Sequence, residues 1–208
     1  MTDPWQVAIP HLTSAKSQLR KLMRARLTTA QPSSDPACTA LGIWLAAHPA
    51  LRTVAVYSAL PGEVDLVKII HARPDLVWVY PKVTGHHLSF HYSRNLVPGS
   101  FGILEPAADS PEIPVAEIDV FLCPGLAFAA TGDRLGRGRG FYDRMLAHAR
   151  PDAFKLGICF PFQLVLETFS EPHDVRMDEV IYQTHLVPVE INSLTSNPVF
   201  LAGTQESG

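Results

Sequence analysis

The chain has 208 residues and a formal net charge of -3 at pH 7, with 47% hydrophobic and 18% charged residues. This composition supports a well-buried core and excludes a globally disordered chain. The negative balance argues against a general nucleic-acid binder, and the absence of an apolar run of about 18 residues argues against a transmembrane helix.

The N-terminal segment predicts a basic helix over residues 11–29. Its apolar side chains recur at helical spacing, while Lys16 and Arg20 lie four residues apart and share another face. From Pro4 to Ser34 the chain has no acidic residue, a composition that is also typical of organelle transit peptides. We favour an ordinary first helix with a cationic face, and the transit peptide is the alternative.

Helices and strands alternate along the rest of the chain. Asp35 and Pro36 are a favoured start for a second helix, which we expect to reach about His48. Apolar, β-branched and aromatic runs predict strands over residues 53–58, 76–81, 88–93, 119–124, 155–160, 178–183 and 185–191. Short helices are predicted over residues 64–73 and 140–150, and the proline- and acid-rich residues 105–118 predict a surface loop.

This order of elements predicts an α/β fold, namely a three-layer Rossmann-like domain with a mixed, mostly parallel sheet. We expect one domain over residues 1–208, with a C-terminal tail over residues 192–208 that frays. In open α/β sheets, ligands bind beyond the carboxyl ends of the strands. Glu63, Lys82 and the glycine-rich stretch at 134–146 follow predicted strands, so we expect them to meet at one edge of the sheet.

The stretch RLGRGRGFYDRML, from Arg134 to Leu146, has three glycines at alternate positions between a predicted strand and a predicted helix. Glycine lets backbone N–H groups approach a phosphate, and the neighbouring arginines add positive charge. Asp143 supplies carboxylate oxygens, which Mg²⁺ prefers as ligands. The stretch is neither a Walker A motif nor GxGxxG, so a flexible surface loop with solvated arginines is the alternative.

The longer segment DVFLCPGLAFAATGDRLGRGRGFYDRML resembles the signature of the 5-formyltetrahydrofolate cyclo-ligase family, also called methenyltetrahydrofolate synthetases. The segments AKSQLRKLMRARL, YSALPGEVDL, YPKV, GILEP and HDVRMDEVI resemble further blocks of that family in the same order. The resemblance spans residues 16–183. It implies an enzyme that closes 5-formyltetrahydrofolate to 5,10-methenyltetrahydrofolate while ATP, with Mg²⁺, becomes ADP and phosphate.

The resemblance also implies roles for individual residues. Its ATP-binding positions correspond to Lys16, Arg20, Arg134, Leu135, Gly136, Arg137, Gly138, Arg139, Gly140, Phe141 and Tyr142. Of these, the implied catalytic residues are Arg137, Arg139, Phe141 and Tyr142. The implied folate-binding residues are Ser58, Glu63, Phe101, Arg137, Gly138, Arg139, Gly140 and Phe141. Asp143 and Asp178 correspond to Mg²⁺ ligands.

Three positions depart from the family pattern. Arg139 stands in place of a common lysine, Phe141 in place of a common tyrosine, and Phe101 in place of a common tryptophan. Arginine keeps the charge of lysine but has a planar fork instead of a point charge. These departures leave two alternatives open: a paralogue that uses the same ATP site on another substrate, and a nucleotide- or folate-binding regulator without turnover.

The expected partners are small molecules, namely 5-formyltetrahydrofolate and ATP, with no nucleic acid and no membrane. We expect a monomer, because no long apolar stripe is left over. Three cysteines without CxxC spacing argue against a disulfide framework or a structural zinc site and suit a cytoplasmic protein.

Overall fold

The computed structural model describes residues 10–30, 32–93, 95–99, 102–182 and 186–188. Its α-helices are α1 (Pro10–Thr29), α2 (Asp35–Ala47), α3 (Val67–Ala72) and α4 (Phe141–Leu146). The predictions of helices over residues 11–29 and from Asp35 to about His48 are confirmed. The other two helices are shorter than predicted, and α3 begins only at Val67, whose backbone N–H donates to the Asp65 carboxylate.

The main sheet is mixed and mostly parallel at its centre. The described strands are β1 (Thr53–Ala55), β2 (Val77–Thr84), β3 (His87–Tyr92), β4 (Leu96–Pro98), β5 (Leu104–Pro106), β6 (Glu112–Ile113), β7 (Val120–Cys123), β8 (Ala127–Ala129), β9 (Arg134–Leu135), β10 (Phe154–Ile158), β11 (Leu164–Val165), β12 (Glu179–Ile181) and β13 (Leu186–Pro188). Eight of them form the main sheet, in the order β13-β12-β10-β7-β1-β2-β3-β6. Neighbours from β12 to β2 pair in parallel, whereas β13, β3 and β6 pair antiparallel.

Helices cover both faces of the main sheet, as the three-layer prediction requires. On one face, Val54 of β1 belongs to a core cluster with Trp44 of α2 and Ile69 of α3. On the other face, Phe121 of β7 belongs to a cluster with Met145 of α4. Successive residues of a strand point to opposite faces, so a central strand between two helical layers is apolar throughout. All residues of β7 are accordingly buried.

The predicted surface loop over residues 105–118 is wrong in part. Leu104–Pro106 forms β5, in which Glu105 is buried, and Glu112–Ile113 forms β6 at the edge of the main sheet. Strands of two or three residues are too short to show the alternation that identifies a strand in a sequence. The proline- and acid-rich composition therefore favoured a loop.

Cys38, Cys123 and Cys159 are buried free thiols, as their spacing indicated. Within the described ranges, no helix combines the length and the apolar character that a membrane span requires. The tail predicted over residues 192–208 lies outside the described residues.

Asp119 joins the starts of two strands, and its replacement by alanine should lower the free energy of unfolding by about 1–3 kcal/mol. Its carboxylate accepts hydrogen bonds from the backbone N–H groups of Arg52, at 2.7 Å, and Thr53, at 2.9 Å, and from the Arg150 guanidinium. Burial opposes ionisation of Asp119, but these donors outweigh it and lower the pKa of the carboxyl. The contribution is therefore present above pH 3.8 and fades as the pH falls through the lowered pKa.

Asp152 provides a matched control for Asp119, because it pairs with the same Arg150 at 3.1 Å but its side chain is 79% exposed. Asp152→Ala should change the free energy of unfolding by less than about 1 kcal/mol. Urea denaturation at pH 7 measures both variants. Equal losses for the two would contradict the anchoring role of Asp119.

Candidate active site

A cavity of about 590 Å³ opens at the carboxyl ends of β1 and β7. Its walls come from α1, the segment after β1, the β2–β3 hairpin, residues 134–144 and residues 171–174. Pro124 and Gly125, directly after β7, complete the lining on the sheet side. The cavity therefore lies at the edge of the sheet at which the sequence predicted a ligand site.

The basic face of α1 packs against the glycine-rich loop. Arg20 Nε donates to the Gly136 carbonyl oxygen at 3.1 Å, and Arg24 Nη2 donates to the Arg137 carbonyl oxygen at 3.2 Å. On its apolar side, α1 buries Met23 in a separate hydrophobic cluster. Apolar packing and hydrogen bonds to loop carbonyls thus fix α1 beside the loop.

The loop depends on two glycines with positive φ. Gly138 has a φ of +100° and Gly140 a φ of +64°, a region that L side chains rarely adopt. A Cβ atom at Gly140 would also lie 2.7 Å from Nη1 of Arg144. The resulting curl of the backbone brings Arg137 and Arg139 into the cavity lining.

Lys16 is a buried cation in the cavity wall, with 4% of its surface exposed. Its Nζ donates to Glu171 Oε2 at 2.7 Å and to the Asp174 carboxylate. Asp174 also accepts a hydrogen bond from the Glu171 backbone N–H at 2.7 Å, and His173 lies beside both acids. This ion cluster joins α1 to residues 171–174.

A second buried ion pair holds Asp143. Arg134 Nη2 donates to Asp143 Oδ1 at 2.8 Å, and the Val175 backbone N–H reaches the same oxygen at 3.4 Å. Arg134 Nη1 donates to the Pro124 carbonyl oxygen at 3.3 Å. Asp143 therefore pairs with the buried Arg134 and not with its sequence neighbour Arg144.

A third pair crosses the cavity between the glycine-rich loop and the segment after β1. Arg137 donates to Glu63 Oε1 through Nε at 2.9 Å and approaches it through Nη2 at 2.8 Å. Glu63 Oε2 accepts from the Leu60 backbone N–H at 3.0 Å. Burial raises the pKa of Glu63, and the Arg137 guanidinium opposes that rise. Ser58 also lines the cavity, and its hydroxyl donates to the Leu104 carbonyl oxygen.

Two tyrosines, the buried Tyr57 and the half-buried Tyr142, line the cavity near these pairs. Tyr57 donates its hydroxyl hydrogen to the Val64 carbonyl oxygen at 2.9 Å. The guanidinium carbon of Arg134 lies 5.4 Å from the centroid of the Tyr142 ring, within the range of a cation–π contact. Burial raises the pKa of both tyrosines well above its ordinary value, so both phenols stay protonated at neutral pH.

Part of the cavity wall is apolar. It is formed by Pro81, Val83, Leu88, Ile103 and Phe141, which we call the apolar wall. Val83 and Leu88 are direct partners in the β2–β3 register, so their side chains share one face of the hairpin. The lining thus combines charged and apolar side chains, which we call the charged half and the apolar half of the cavity.

The structure brings most of the predicted site residues together. The predicted site residues that line this cavity are Lys16, Arg20, Ser58, Glu63, Arg134, Leu135, Gly136, Arg137, Gly138, Arg139, Gly140, Phe141, Tyr142 and Asp143. Phe101 lies outside the described residues. Lys82 is not part of the lining, and its Nζ donates to the Ala107 carbonyl oxygen at 3.1 Å. The individual roles of the lining residues stay predictions.

The position of Asp178 contradicts its predicted role as a metal ligand. Asp178 precedes β12, at the amino end of the parallel strands, where its carboxylate accepts from the Lys155 backbone N–H at 2.7 Å. Lys155 Nζ lies 3.5 Å from the same carboxylate. The cavity lies at the carboxyl ends, so Asp178 is not part of its lining. Asp174, four residues earlier, lines the cavity instead.

Several lining residues were missed or left without a role by the sequence analysis: Arg24, Arg144, Glu171, His173 and Asp174. Arg24 continues the four-residue spacing of Lys16 and Arg20, and this signal could have found it. Asp174 lies in the segment HDVRMDEVI, but the sequence offers two aspartates there and does not tell which one faces the ligand.

Asp143 and Asp174 fit a Mg²⁺ ion that is shared with phosphate. Both carboxylates line the cavity, and none of the described residues donates a hydrogen bond to Asp143 Oδ2. Among the described residues, no group of three or more His, Cys, Asp or Glu could hold a metal ion. Mg²⁺ commonly binds through one or two carboxylates together with substrate phosphates and water, so two acids suffice.

Comparisons with known proteins agree on one family. A sequence model described as the 5-formyltetrahydrofolate cyclo-ligase family matches residues 12–183. A 5-formyltetrahydrofolate cyclo-ligase from Mycolicibacterium smegmatis is 34% identical over 180 residues, covering 80% of this chain and 93% of the relative. One from Haemophilus influenzae is 28% identical over 181 residues, covering 80% and 94%. The solved structure of an Aquifex aeolicus 5,10-methenyltetrahydrofolate synthetase has a TM-score of 0.72 at 26% identity, covering 88% of this chain and 96% of that one.

The buried Glu63 predicts a pH dependence of stability. A raised pKa means that the folded protein holds the Glu63 proton more tightly than the unfolded chain, so stability is lost as the pH rises from 4.5 through the raised pKa. Glu63→Gln cannot titrate. The free energy of unfolding of the wild type, measured by urea denaturation, should therefore fall relative to Glu63→Gln between pH 4.5 and neutral pH. A constant difference across this range would contradict the prediction.

Proposed function

Because the chain belongs to the 5-formyltetrahydrofolate cyclo-ligase family, we propose that it uses MgATP to close 5-formyltetrahydrofolate to 5,10-methenyltetrahydrofolate. The observation that carries the proposal is one cavity with two unlike halves. The charged half combines Lys16, Arg20 and the glycine-rich loop, and it suits the phosphates of ATP. The other half combines the buried Glu63 with the apolar wall, and it suits a folate. In this proposal the chain acts as a single domain on small-molecule substrates.

The reaction needs ATP because the oxygen of an N-formyl group is a poor leaving group. The formyl oxygen attacks the γ-phosphorus of ATP, the bond to the β–γ bridging oxygen breaks, and ADP leaves. The N10 lone pair of the folate then attacks the formyl carbon and N10 loses its proton. The carbon–oxygen bond breaks last and releases inorganic phosphate. The protein contributes mainly the positions of the reacting groups and the neutralisation of their charge.

The charged half of the cavity handles the phosphates. Lys16 and Arg20, one helical turn apart on α1, bring positive charge to the nucleotide. Arg137 and Arg139 neutralise the charge of the phosphoryl group in transfer. Asp143 and Asp174 would hold a Mg²⁺ ion, which would supply a Lewis acid that withdraws charge from phosphate oxygens.

Supporting groups around this half fix the acting side chains. Arg134 holds one oxygen of Asp143 and so sets the orientation of its carboxylate. Tyr142, which borders Arg134, keeps its proton at neutral pH and serves as a hydrogen-bond donor beside the reacting groups.

The apolar half of the cavity handles the folate. A carboxylate pairs in bidentate fashion with the amino-pyrimidine edge of a pterin, which gives Glu63 its role. In the structure, Oε1 of Glu63 accepts from Arg137, so pterin binding exchanges this partner. The exchange turns the Arg137 guanidinium toward the formyl oxygen and the phosphoryl group. Ser58 and Phe141 border the bound folate.

Asp174→Asn should lower kcat by roughly a hundredfold or more, because the site loses one metal-binding carboxylate. Asp143→Asn should act in the same direction, but it also leaves the buried Arg134 without its charged partner, so Asp174→Asn is the cleaner variant. Asp178→Asn is the matched control, because Asp178 lies outside the cavity, and its kcat should stay within about twofold of the wild type. The near-ultraviolet absorbance of the methenyl product follows turnover.

Chelation of divalent cations should abolish product formation, and added Mg²⁺ should restore it. A flat trace from folded wild-type protein with 5-formyltetrahydrofolate and MgATP would contradict the proposal. Thermal melting then distinguishes the alternatives, because a ligand that binds the folded state raises its stability. Stabilisation by both ligands without turnover would favour the regulator, and stabilisation by ATP alone would favour the paralogue.

A further inference from the structure

The cavity concentrates positive charge although the chain has a net charge of -3. Lys16, Arg134 and Arg137 each pair with a carboxylate of the cavity. Arg20 and Arg24 donate to carbonyls of the glycine-rich loop. These cations all belong to α1 or to residues 134–137, and the proposed phosphate binding accounts for them.

Arg144 lies on α4, directly after the loop, and its Nη1 is close to Gly140, but its partners differ from those of the other cations. Its side chain leaves α4 toward the β2–β3 hairpin, where Nη2 donates to the His86 carbonyl oxygen at 3.2 Å. Its guanidinium carbon lies 5.6 Å from the centroid of the Phe141 ring. None of the carboxylates in the described part of the chain forms an ion pair with it. A guanidinium carries five N–H donors, so Arg144 retains donors for a ligand.

The hairpin tip, which Arg144 contacts, lies just beyond Val83 and Leu88, the hairpin residues nearest to it that line the cavity. β1 and β2 last pair at Ala55 and Val79, whereas β2 continues to Thr84, which pairs with His87. At about 3.3 Å per residue, these five residues carry the tip about 16 Å beyond the last β1 pairing. The hairpin residues of the apolar wall lie between the two levels. The cavity therefore runs from Glu63, past the apolar wall, to Arg144.

We propose that Arg144 binds the glutamate carboxylates of the folate and sets specificity for that end of the substrate. This inference rests on the proposed function, which places the pterin at Glu63. A folate has its pterin at one end, a neutral aromatic p-aminobenzoyl unit in the middle and a doubly charged glutamate at the other end. A buried carboxylate, an apolar wall and an outer guanidinium match these three parts in order.

The chemistry of Arg144 suits a carboxylate. Its planar guanidinium can donate two parallel N–H bonds to the two oxygens of one carboxylate, which a lysine ammonium cannot match. The Phe141 ring and the His86 carbonyl already hold the side chain in place. Less side-chain freedom is therefore lost when a ligand binds.

The test compares 5-formyltetrahydrofolate with 5-formyltetrahydropteroamide, in which a neutral primary carboxamide replaces the amide to glutamate. Isothermal titration calorimetry gives Kd for both, with ATP as a third ligand. Wild-type protein should bind the glutamate-containing ligand roughly tenfold more tightly. Arg144→Gln should remove most of this preference, and Arg144→Lys should keep part of it. Arg26→Gln, which removes an exposed charge of α1 outside the cavity, is the matched control and should keep all of it.

An equal loss of affinity for both folates, or a comparable loss for ATP, in Arg144→Gln would overturn the assignment. A wild type that binds the two folates equally would overturn it without any variant, so the test does not depend on the folding of Arg144→Gln. Failure of the proposed function has a different signature. In that case the wild type shows the glutamate preference but forms no methenyl product with MgATP. Binding of neither folate would contradict both proposals.

Discussion

Pairing of opposite charges across the cavity is the constraint on which the site depends. A buried ionised group without a partner is strongly unfavourable, and each pair here joins different segments of the chain. Lys16 links α1 to Asp174, Arg134 links β9 to α4, and Arg137 links the glycine-rich loop to the segment after β1. Buried ion pairs add little stability compared with apolar packing of the same volume, so their contribution here is geometric. They hold separate segments at fixed positions around one cavity.

In the proposed function, the same pairs couple the two halves of the cavity. The Asp174 carboxylate accepts a hydrogen bond from Lys16, and the Glu63 carboxylate accepts one from Arg137. In the proposed function, Asp174 would also hold Mg²⁺ and Glu63 would hold the pterin, so Lys16 and Arg137 would become available to phosphate. Occupation of the folate half thereby increases positive charge in the nucleotide half. Thermodynamic linkage requires that the nucleotide favour folate binding to the same extent.

Sequence reasoning succeeded where local pattern determines structure. The alternation of strands and helices fixed the layers, and the glycines at 136, 138 and 140 identified a loop whose backbone needs positive φ at two of them. It failed where the tertiary structure determines which side chain reaches the cavity. Asp174 and Asp178 are four residues apart in the same segment, but that segment crosses a face of the sheet, with Met177 buried in the core between them. One aspartate therefore lies at the carboxyl edge of the sheet and the other at the amino edge. The pairing of Lys16 with residues 155 or more positions away leaves no local signal either.

The fate of the formyl oxygen tests the proposed chemistry most directly. 5-Formyltetrahydrofolate labelled with ¹⁸O at the formyl group is turned over with MgATP, and the inorganic phosphate is analysed by mass spectrometry or by the ³¹P NMR isotope shift. Transfer of the formyl oxygen to the γ-phosphorus predicts one ¹⁸O atom in each phosphate released. Unlabelled phosphate formed together with the methenyl product would contradict phosphorylation of the formyl oxygen, and with it the assignment of the charged half of the cavity to phosphoryl transfer.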